Sequence, residues 1–375
     1  MVGEEAPSLD LHGRRAGGRW SLARFVRRER SFLALVSVAF MVSALTADMP
    51  EIARWVGFLL AGYAAVANDS IQTIGTFIAS NKDQAWWKLW AFIGGIFLVT
   101  IVWSWVQFDG DVTYQRLAAK GFETAPTEFS FLTVAAPVFL IVLTRLKMPV
   151  STTLLLLSSF ATKGSGIGKV LMKSFMGYGL AFVIAMVVWL SLTKAFERWF
   201  TGEAHPGWRV AQWVASGLLW SVWIQQDAAN IAVYLPRRLD VIELIAFAGV
   251  IFIGLGILFR MGGERIQEIV EEKSDIFDLR PATIIALVYA VILFYFKIHS
   301  KVPMSTTWVF LGLLGGRELA MTLRGGGERS TGEALKMMGR DAGLAAAGLL
   351  VSLVLACAVN DVVRDALLSS IGLGG

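Results

Sequence analysis

The sequence predicts an all-α polytopic membrane protein made of two inverted repeats, each with full-length helices plus a re-entrant helical hairpin. Hydrophobic residues make up 55% of the 375 residues and charged residues only 17%, less charge than a soluble domain of this size carries. Apolar segments long enough to cross a bilayer recur along the chain. Two different polar motifs each occur twice, in the same order, which indicates an internal duplication.

The composition narrows the class further. The single cysteine, Cys357, excludes an intrachain disulfide and a cysteine-based metal cluster. The 14 tryptophans and 37 glycines suit a membrane protein, because indole rings anchor at bilayer interfaces and glycines let helices approach closely. The net charge of +5 lies largely in loops and in the N-terminal tail, so the charges are informative about the orientation of the chain in the membrane. No nucleic acid partner is expected.

The N-terminal region allows two interpretations. Residues 1–31 are expected to form a cytoplasmic basic tail and residues 32–50 the first transmembrane helix, by the positive-inside rule. The run Arg27-Arg28-Glu29-Arg30 also loosely resembles a twin-arginine export signal, with a cleavage site at residues 44–47. Because a polytopic chain needs no cleaved signal, a retained first helix is favoured.

The first repeat is expected over residues 55–195. A long segment interrupted at Asn68-Asp69-Ser70 is followed by an apolar segment at 86–108 and a polar loop at 109–128. A hairpin around Pro149 and an apolar segment at 170–192 complete the repeat, and residues 196–209 form a linker.

The second repeat, over residues 210–359, follows the same order, with an interruption at Gln225-Gln226-Asp227 and a hairpin around Pro303. Residues 360–375 form a C-terminal tail. Asp69 and Asp227 are 158 residues apart, and Ser151 and Ser305 are 154 residues apart. Two unrelated motifs would rarely keep so similar an offset by chance, so the duplication is the firmest inference from the sequence.

The inversion follows from counting membrane crossings. If each hairpin enters and leaves on one side, a repeat contains three full crossings, and the next repeat begins on the opposite side. The helices that begin at Ser-Thr-Thr are expected to be too short to span, since residues 151–161 would cover only about 16 Å.

The first motif places an acidic residue inside each long segment. A carboxylate in a membrane costs several kcal/mol unless it is paired, so Asp69 and Asp227 are candidates for a cation site or for proton carriage. Each has amide neighbours: Asn68, Gln72, Gln226 and Asn230. Because residues one and four apart on a helix cannot all share one face, local unwinding is expected there. Carboxylate, amide and backbone oxygens suit sodium. Hydrogen bonding between helices is the purely structural alternative for the amides.

The second motif places three hydroxyl residues at two helix starts, each behind a proline. The hydroxyl residues are Ser151, Thr152, Thr153, Ser305, Thr306 and Thr307. One such cluster is most often an N-cap. Two copies at equivalent positions favour an oxyanion site, because helix N-termini present N–H groups and a positive dipole end. Cations at the aspartates would compensate the charge of the anion and make the two sites interdependent.

The four motifs together resemble the inorganic phosphate transporter (PiT) family. That family carries a Gly-Ala-Asn-Asp-Val-Ala-Asn-like motif early in each repeat, which residues 67–72 and 225–230 resemble. It carries a Pro-Val-Ser-Thr-Thr-His-like motif later in each repeat, which residues 149–153 and 303–307 resemble. Gln72 and Gln226 stand where the family has asparagine, and Leu154 and Trp308 stand where it has histidine.

The resemblance implies a secondary active transporter that moves inorganic phosphate by symport with sodium through alternating access. Sodium ions would be the only cofactors, with phosphate near the Ser-Thr-Thr motifs and sodium near Asp69 and Asp227. A proton-coupled transporter of sulfate or another oxyanion and an uncoupled anion channel or receptor remain open. No enzyme is expected, because no nucleophile–base set is visible. The expected setting is a bacterial inner membrane with a cytoplasmic N-terminus, and a homodimer is one oligomeric option.

Overall fold

The structure is a computed structural model that describes residues 27, 29–146, 148, 150–161, 167–199, 202–261, 279–299, 305–324 and 330–370. Within these ranges the chain is helical and contains no β-strand, as the sequence predicts. The tail at residues 1–26 and most of the charged loop at 262–280 lie outside the described residues.

The first half of the chain begins with one helix that precedes the predicted repeat. The elements are α1 (Arg30–Thr46), α2 (Pro50–Thr73), α3 (Gly75–Ser80), α4 (Trp86–Gln107), α5 (Arg116–Ala119), α6 (Phe131–Arg145), the π-helical turn π1 (Thr153–Leu157) and α7 (Ile167–Trp199). The α6 start is fixed by a capping box, in which Ser130 and Thr133 bond each other's backbone N–H groups.

The second half contains long helices in a similar order. They are α8 (Gly207–Ala232), α9 (Val241–Met261), α10 (Leu279–Leu293), the π-helical segment π2 (Phe294–His299), α11 (Thr306–Leu323), α12 (Thr331–Val359) and α13 (Asp361–Ser370). The predicted linker is helical up to Trp199 and again from Gly207, and the predicted C-terminal tail contains α13.

The composition of the helices is consistent with a polytopic membrane protein. Among the described residues, five helical stretches are long and apolar enough to cross a membrane, in α4, α7, α9, α10 with π2, and α12. Large apolar side chains point outward along them, for example Val99, Ile242 and Leu350, each more than 60% exposed. Such a surface suits lipid, since soluble proteins rarely expose contiguous apolar patches of this extent.

The helices pack in a reciprocal pattern across the two halves. In the first half α2 packs against α6, and in the second half α8 packs against α10. Between the halves, α2 contacts α9 while α8 contacts α4, and α4 and α9 contact each other. If each of these helices is replaced by the corresponding helix of the other half, each contact named here becomes a contact of the same set.

The two hairpins open at opposite ends of the helix bundle. Asp83 pairs with Arg209 at one end (the Asp83 end), and Asp109 pairs with Arg238 at the other (the Asp109 end). Phe129 and Phe160 flank the arms of the first hairpin, and both rings pack on Tyr234, close to the Asp109 end.

The second hairpin is anchored at the Asp83 end. Near the start of α10, Arg280 donates to the carbonyl oxygen of Gly202, a few residues before α8. At the end of α11, Arg324 donates to the carbonyl oxygen of Leu190 near the end of α7. Arg280 thus bonds the connection between α7 and α8, and Arg324 bonds the C-terminal part of α7, so both arms of this hairpin start or end toward the Asp83 end.

A very close helix contact holds the second hairpin against α7. A Cβ atom on Gly312 would collide with the carbonyl oxygen of Tyr178, and one on Gly316 would collide with the carbonyl oxygen of Phe182. Backbone therefore lies directly on backbone here, and only glycine allows this approach in α11.

Two local predictions are wrong. The expected unwinding at the acidic motifs does not occur, because α2 is continuous to Thr73 and α8 to Ala232. Asn68 and Asn230 bond side chains on neighbouring segments, so these two amides do not require the backbone to open. The second Ser-Thr-Thr helix is also longer than expected: α11 has 18 residues, or about 27 Å.

Candidate functional site

The two Ser-Thr-Thr segments meet inside the helix bundle. The hydroxyl Oγ1 of Thr307 donates to the carbonyl oxygen of Val150 at 3.0 Å, which places the start of α11 beside Ser151. All six hydroxyl residues predicted for the anion site are buried or, for Thr153, half-buried. Pro149 and residues 300–304 lie outside the described residues.

The first hydroxyl cluster is only partly a helix cap. The Oγ of Ser151 accepts a hydrogen bond from the N–H of Leu154 at 3.3 Å, so this serine caps the turn. Thr152 and Thr153 do not cap. Their Oγ1 atoms accept hydrogen bonds from the Nδ2 of Asn230, at 3.2 Å and 3.1 Å. Each threonine keeps its own O–H as a donor.

The second hydroxyl cluster has a different arrangement. Ser305 is the N-cap residue of α11, with extended backbone angles, but its side chain makes no capping hydrogen bond. Its Oγ is buried and has no hydrogen-bond partner among the described residues. Behind it, the Tyr289 hydroxyl donates to the carbonyl oxygen of Thr306 at 3.0 Å and fixes the start of the helix.

The acidic motif of α8 is buried beside the first hydroxyl cluster. Asp227 is 2% exposed, and its Oδ1 accepts a hydrogen bond from the Nδ2 of Asn230 at 2.7 Å. Within the described part of the chain, the Oδ1 of Asn230 and both polar atoms of the Gln226 side chain have no hydrogen-bond partner. The Asp227 carboxylate therefore lies on adjacent turns of α8 with two amide oxygens that accept no hydrogen bond from the described residues.

The acidic motif of α2 is described in part. The Oδ1 of Asn68 accepts a hydrogen bond from the Oγ1 of Thr144 on α6, at 3.1 Å. The Oε1 of Gln72 is buried and has no partner in the described regions. Asp69 lies on the helix, but its side chain falls outside the described residues, so its predicted sodium site stays a prediction.

This donor and acceptor set can serve two ions. Buried oxygen atoms without hydrogen-bond donors suit a hard cation, and Asp227 supplies the negative charge that such a cation needs. Hydroxyl groups and the start of α11 suit an oxyanion. The structure brings the predicted residues Asn230, Thr152 and Thr153 into direct contact.

Sequence reasoning missed several residues that position this site. Thr144 and Tyr289 carry no motif, and their contacts depend on helix packing. Arg145, a charge near the tip of the first hairpin, pairs with Glu29 beside α1, with Nη2 2.6 Å from Oε2. Its guanidinium also lies 5.4 Å from the ring centre of Phe32. The charge of Arg145 is thus paired by the segment that precedes α1.

A cavity of about 880 Å³ lies at the Asp109 end and approaches the site from there; we call it the vestibule. Its charged lining consists of Asp111, Arg116, Lys120, Glu123, Arg237 and Arg238, and Gln225 and Ile298 also line it. Burial lowers the pKa of Arg237 to about 10, and its guanidinium donates to backbone carbonyl oxygens, including that of Phe122 at 2.8 Å. The walls of the vestibule are therefore held together by polar contacts.

Comparisons with known proteins add one similarity. No protein-family model and no curated protein sequence matches the chain. A solved structure described as "The sodium-dependent phosphate transporter" is similar at 16% sequence identity and a TM-score of 0.48. The similarity covers 83% of this chain and 97% of that chain. At this identity and score, the likeness assigns neither a family nor a function to the chain.

Proposed function

We propose that this protein is a secondary active transporter that moves inorganic phosphate across a membrane by symport with sodium. The observation that carries the proposal is the contact of Asn230 with both motifs. The two N–H groups of this amide reach three acceptors, so one N–H is shared: the acceptors are the carboxylate of Asp227 and the hydroxyls of Thr152 and Thr153. A cation site on α8 and an anion site on the first hairpin would share this group.

The cation site is assigned to Gln226, Asp227 and Asn230, with a second site at Asn68, Asp69 and Gln72. Amide carbonyl oxygens are strong acceptors, and leaving one buried without a donor costs about 1–3 kcal/mol. Gln226, Asn230 and Gln72 each hold such an oxygen in the described structure. Sodium binding would remove that cost at each position, since sodium takes oxygen ligands.

The anion site is assigned to the meeting point of the two Ser-Thr-Thr segments. The Oγ of Ser305 is buried, does not cap α11, and has no partner in the described regions, so it is available as a donor. Thr152 and Thr153 accept from Asn230 and can direct their own O–H groups toward an anion. Phosphate needs compensating positive charge, which bound sodium would supply.

The packing supports two inverted repeats and alternating access. The reciprocal helix contacts fit a two-fold relation between the halves, and the hairpins open at opposite ends. In transporters with inverted repeats, the two hairpins or bundles gate access from the two sides of one central site. Ile298 of π2 lines the vestibule, so movement of the second hairpin would open the site toward the Asp109 end.

The identities of the ions come from the motif resemblance, and two rivals are kept. Proton coupling of sulfate or another oxyanion is favoured by the burial of Asp227, which could carry a proton. An uncoupled anion channel or receptor would need the hydroxyl site alone.

Proteoliposome uptake separates these functions. Labelled phosphate should accumulate when a sodium gradient is imposed at equal pH, and sulfate should neither accumulate nor compete. Accumulation driven by a pH gradient without sodium would favour the proton-coupled rival. Equal downhill flux with no accumulation under either gradient would refute symport.

An isosteric pair of variants tests the cation assignment. Asp227→Asn should abolish sodium dependence, because it removes the charge and leaves the shape. Asp83→Asn is the matched control. Asp83 pairs with Arg209 at an exposed end of the bundle, and Arg209 lies near the start of α8, far from Asp227 near the end of that helix. Unchanged sodium dependence in Asp227→Asn would contradict the assignment.

A further inference from the structure

Asn360 lies outside every motif, in the segment predicted to be a C-terminal tail, and it contacts the first hairpin. Its Nδ2 donates to the carbonyl oxygens of Ala161 at 2.8 Å, Ser158 at 3.1 Å and Ser159 at 3.5 Å. These carbonyl groups end the short helical segment that starts at the first Ser-Thr-Thr cluster. Because the last carbonyl groups of a helix have no partner within the helix, a side-chain amide placed here caps it.

The same side chain also begins the helix α13. The Oδ1 of Asn360 accepts hydrogen bonds from the N–H groups of Val362 at 3.0 Å and Val363 at 3.4 Å, so Asn360 is the N-cap of α13. Its backbone N–H donates to the carbonyl oxygen of Ala356 and closes the last turn of α12. One residue therefore joins three helix ends: the end of the first hairpin, the end of α12 and the start of α13.

Apolar packing surrounds this junction between α12 and α13. Ala356 of α12 and Val363 of α13 are fully buried, and Ala161, Leu353 and Cys357 pack against them. Ala161 belongs to the end of the first hairpin, and α12 also contacts π1 along its side. The junction therefore holds the first hairpin by apolar as well as polar contacts.

The hydroxyl cluster lies at the other end of the same helical segment. Residues 152–158 are helical without interruption. At the start of this segment, Thr152 and Thr153 accept hydrogen bonds from Asn230, and at its end the carbonyl groups accept from Asn360. Since two turns of helix separate the two anchors, a shift at one end moves the other end as well.

We propose that Asn360 is a positioning residue of the anion site, which locks the first hairpin where the hydroxyl groups of Thr152 and Thr153 reach Asn230. The proposal rests on the proposed function, in which these hydroxyl groups bind the anion. It assigns the junction between α12 and α13 a part in transport, because this lock must open whenever the first hairpin moves.

Two variants separate the lock from the cap of α13. Asn360→Asp keeps the shape and the cap, since aspartate caps as well as asparagine, but it offers no N–H to the hairpin carbonyls. Asn360→Ser also keeps a capping oxygen and adds no charge. In full-length protein in lipid nanodiscs, amide hydrogen exchange of residues 152–161 should become about tenfold faster in both, the size of effect that a lost hydrogen bond has on local opening. Exchange of residues 361–370 should stay unchanged.

Ser330→Ala is the matched control, because Ser330 caps the opposite end of α12 in a capping box with Glu333. It should speed exchange in the first turn of α12 and leave residues 152–161 unchanged. Unchanged exchange of residues 152–161 in both Asn360 variants, or an equal increase in Ser330→Ala, would overturn the lock. So would faster exchange confined to residues 361–370, which would reduce Asn360 to the cap of α13.

Phosphate uptake by the same preparations tests the positioning role. The KM for phosphate should rise by about tenfold in both Asn360 variants with little change in kcat, because displaced hydroxyl groups bind the anion less well. Faster exchange with an unaltered KM would assign Asn360 to the fold alone and overturn the proposal.

The two measurements also separate this inference from the proposed function. Sodium-driven phosphate uptake by the wild type, together with unchanged exchange in both Asn360 variants, refutes the lock and leaves symport intact. Faster exchange of residues 152–161 in a protein whose wild type accumulates no phosphate supports the lock and refutes phosphate symport.

Discussion

Replacing Asn230 with alanine should weaken the binding of both ions. The side-chain amide of Asn230 donates to the Asp227 carboxylate at 2.7 Å and to two threonine hydroxyls at 3.1–3.2 Å. Its Oδ1 has no partner among the described residues and is assigned to the cation. Alanine therefore removes one cation ligand and the donor that links the Asp227 carboxylate to the two threonines.

The magnitude follows from these contacts. The lost oxygen ligand sets the size of the effect: an interaction between a polar group and a charge contributes about 1.5–3 kcal/mol, and each tenfold change in affinity corresponds to about 1.4 kcal/mol. We therefore expect the half-saturating sodium concentration of Asn230→Ala to rise about ten- to hundredfold. The KM for phosphate should rise by a smaller factor, because the threonine hydroxyls keep their O–H donors.

The assay measures initial uptake of labelled phosphate against sodium concentration and against phosphate concentration. The control is Asn81→Ala, which removes an equally buried amide from a separate network. Asn81 donates to Gln212 Oε1 at 2.8 Å and accepts from Trp213 Nε1 at 2.9 Å. This control should lower the unfolding midpoint and leave both constants unchanged. Unaltered constants in a folded Asn230→Ala protein, or equal changes in both variants, would refute the shared-amide mechanism.

Two further predictions compare paired variants. Ser305→Ala should raise the KM for phosphate with little change in the unfolding midpoint, because its hydroxyl has no partner in the described structure. Thr307→Val should also lower the midpoint, because the carbonyl oxygen of Val150 loses its donor, which costs about 1–3 kcal/mol. Equal midpoints in the two variants would contradict this contrast. Gly316→Ala should lower the unfolding midpoint by several degrees, since a Cβ atom would meet the backbone of Phe182. Gly343→Ala should be neutral or stabilising, because a Cβ atom there has nothing within 4 Å. Thermal melts of both variants test this.

Much of the fold could be predicted because it follows from local patterns. Apolar runs between charged loops located most of the described helices to within a few residues. The hydroxyl and amide residues are buried as expected, since they fall inside apolar segments. These features depend on hydrophobic periodicity and on spacing, both of which the sequence contains directly.

The missed features depend on contacts between distant segments. Arg145 is paired by Glu29, more than a hundred residues earlier, and no local pattern links them. The expected unwinding at Asp227 did not occur, because Asn230 finds its partners on the first hairpin. The same physics applies in each case: a buried polar group needs a partner, but its identity depends on tertiary packing.

The two halves share a pattern of motifs but differ in how their amides are used. In the first half, the amide oxygen of Asn68 already accepts a hydrogen bond from Thr144. In the second half, the amide oxygens of Gln226 and Asn230 are buried and accept none from the described residues. A cation bound at the first motif must compete with a hydroxyl donor at Asn68 and meets one amide oxygen without a described partner, that of Gln72, whereas a cation bound at Asp227 meets two such oxygens and no such competitor on them. The site at Asp227 should therefore fill first. Because Asn230 also contacts Thr152 and Thr153, cation binding at the Asp227 site would prepare the anion site.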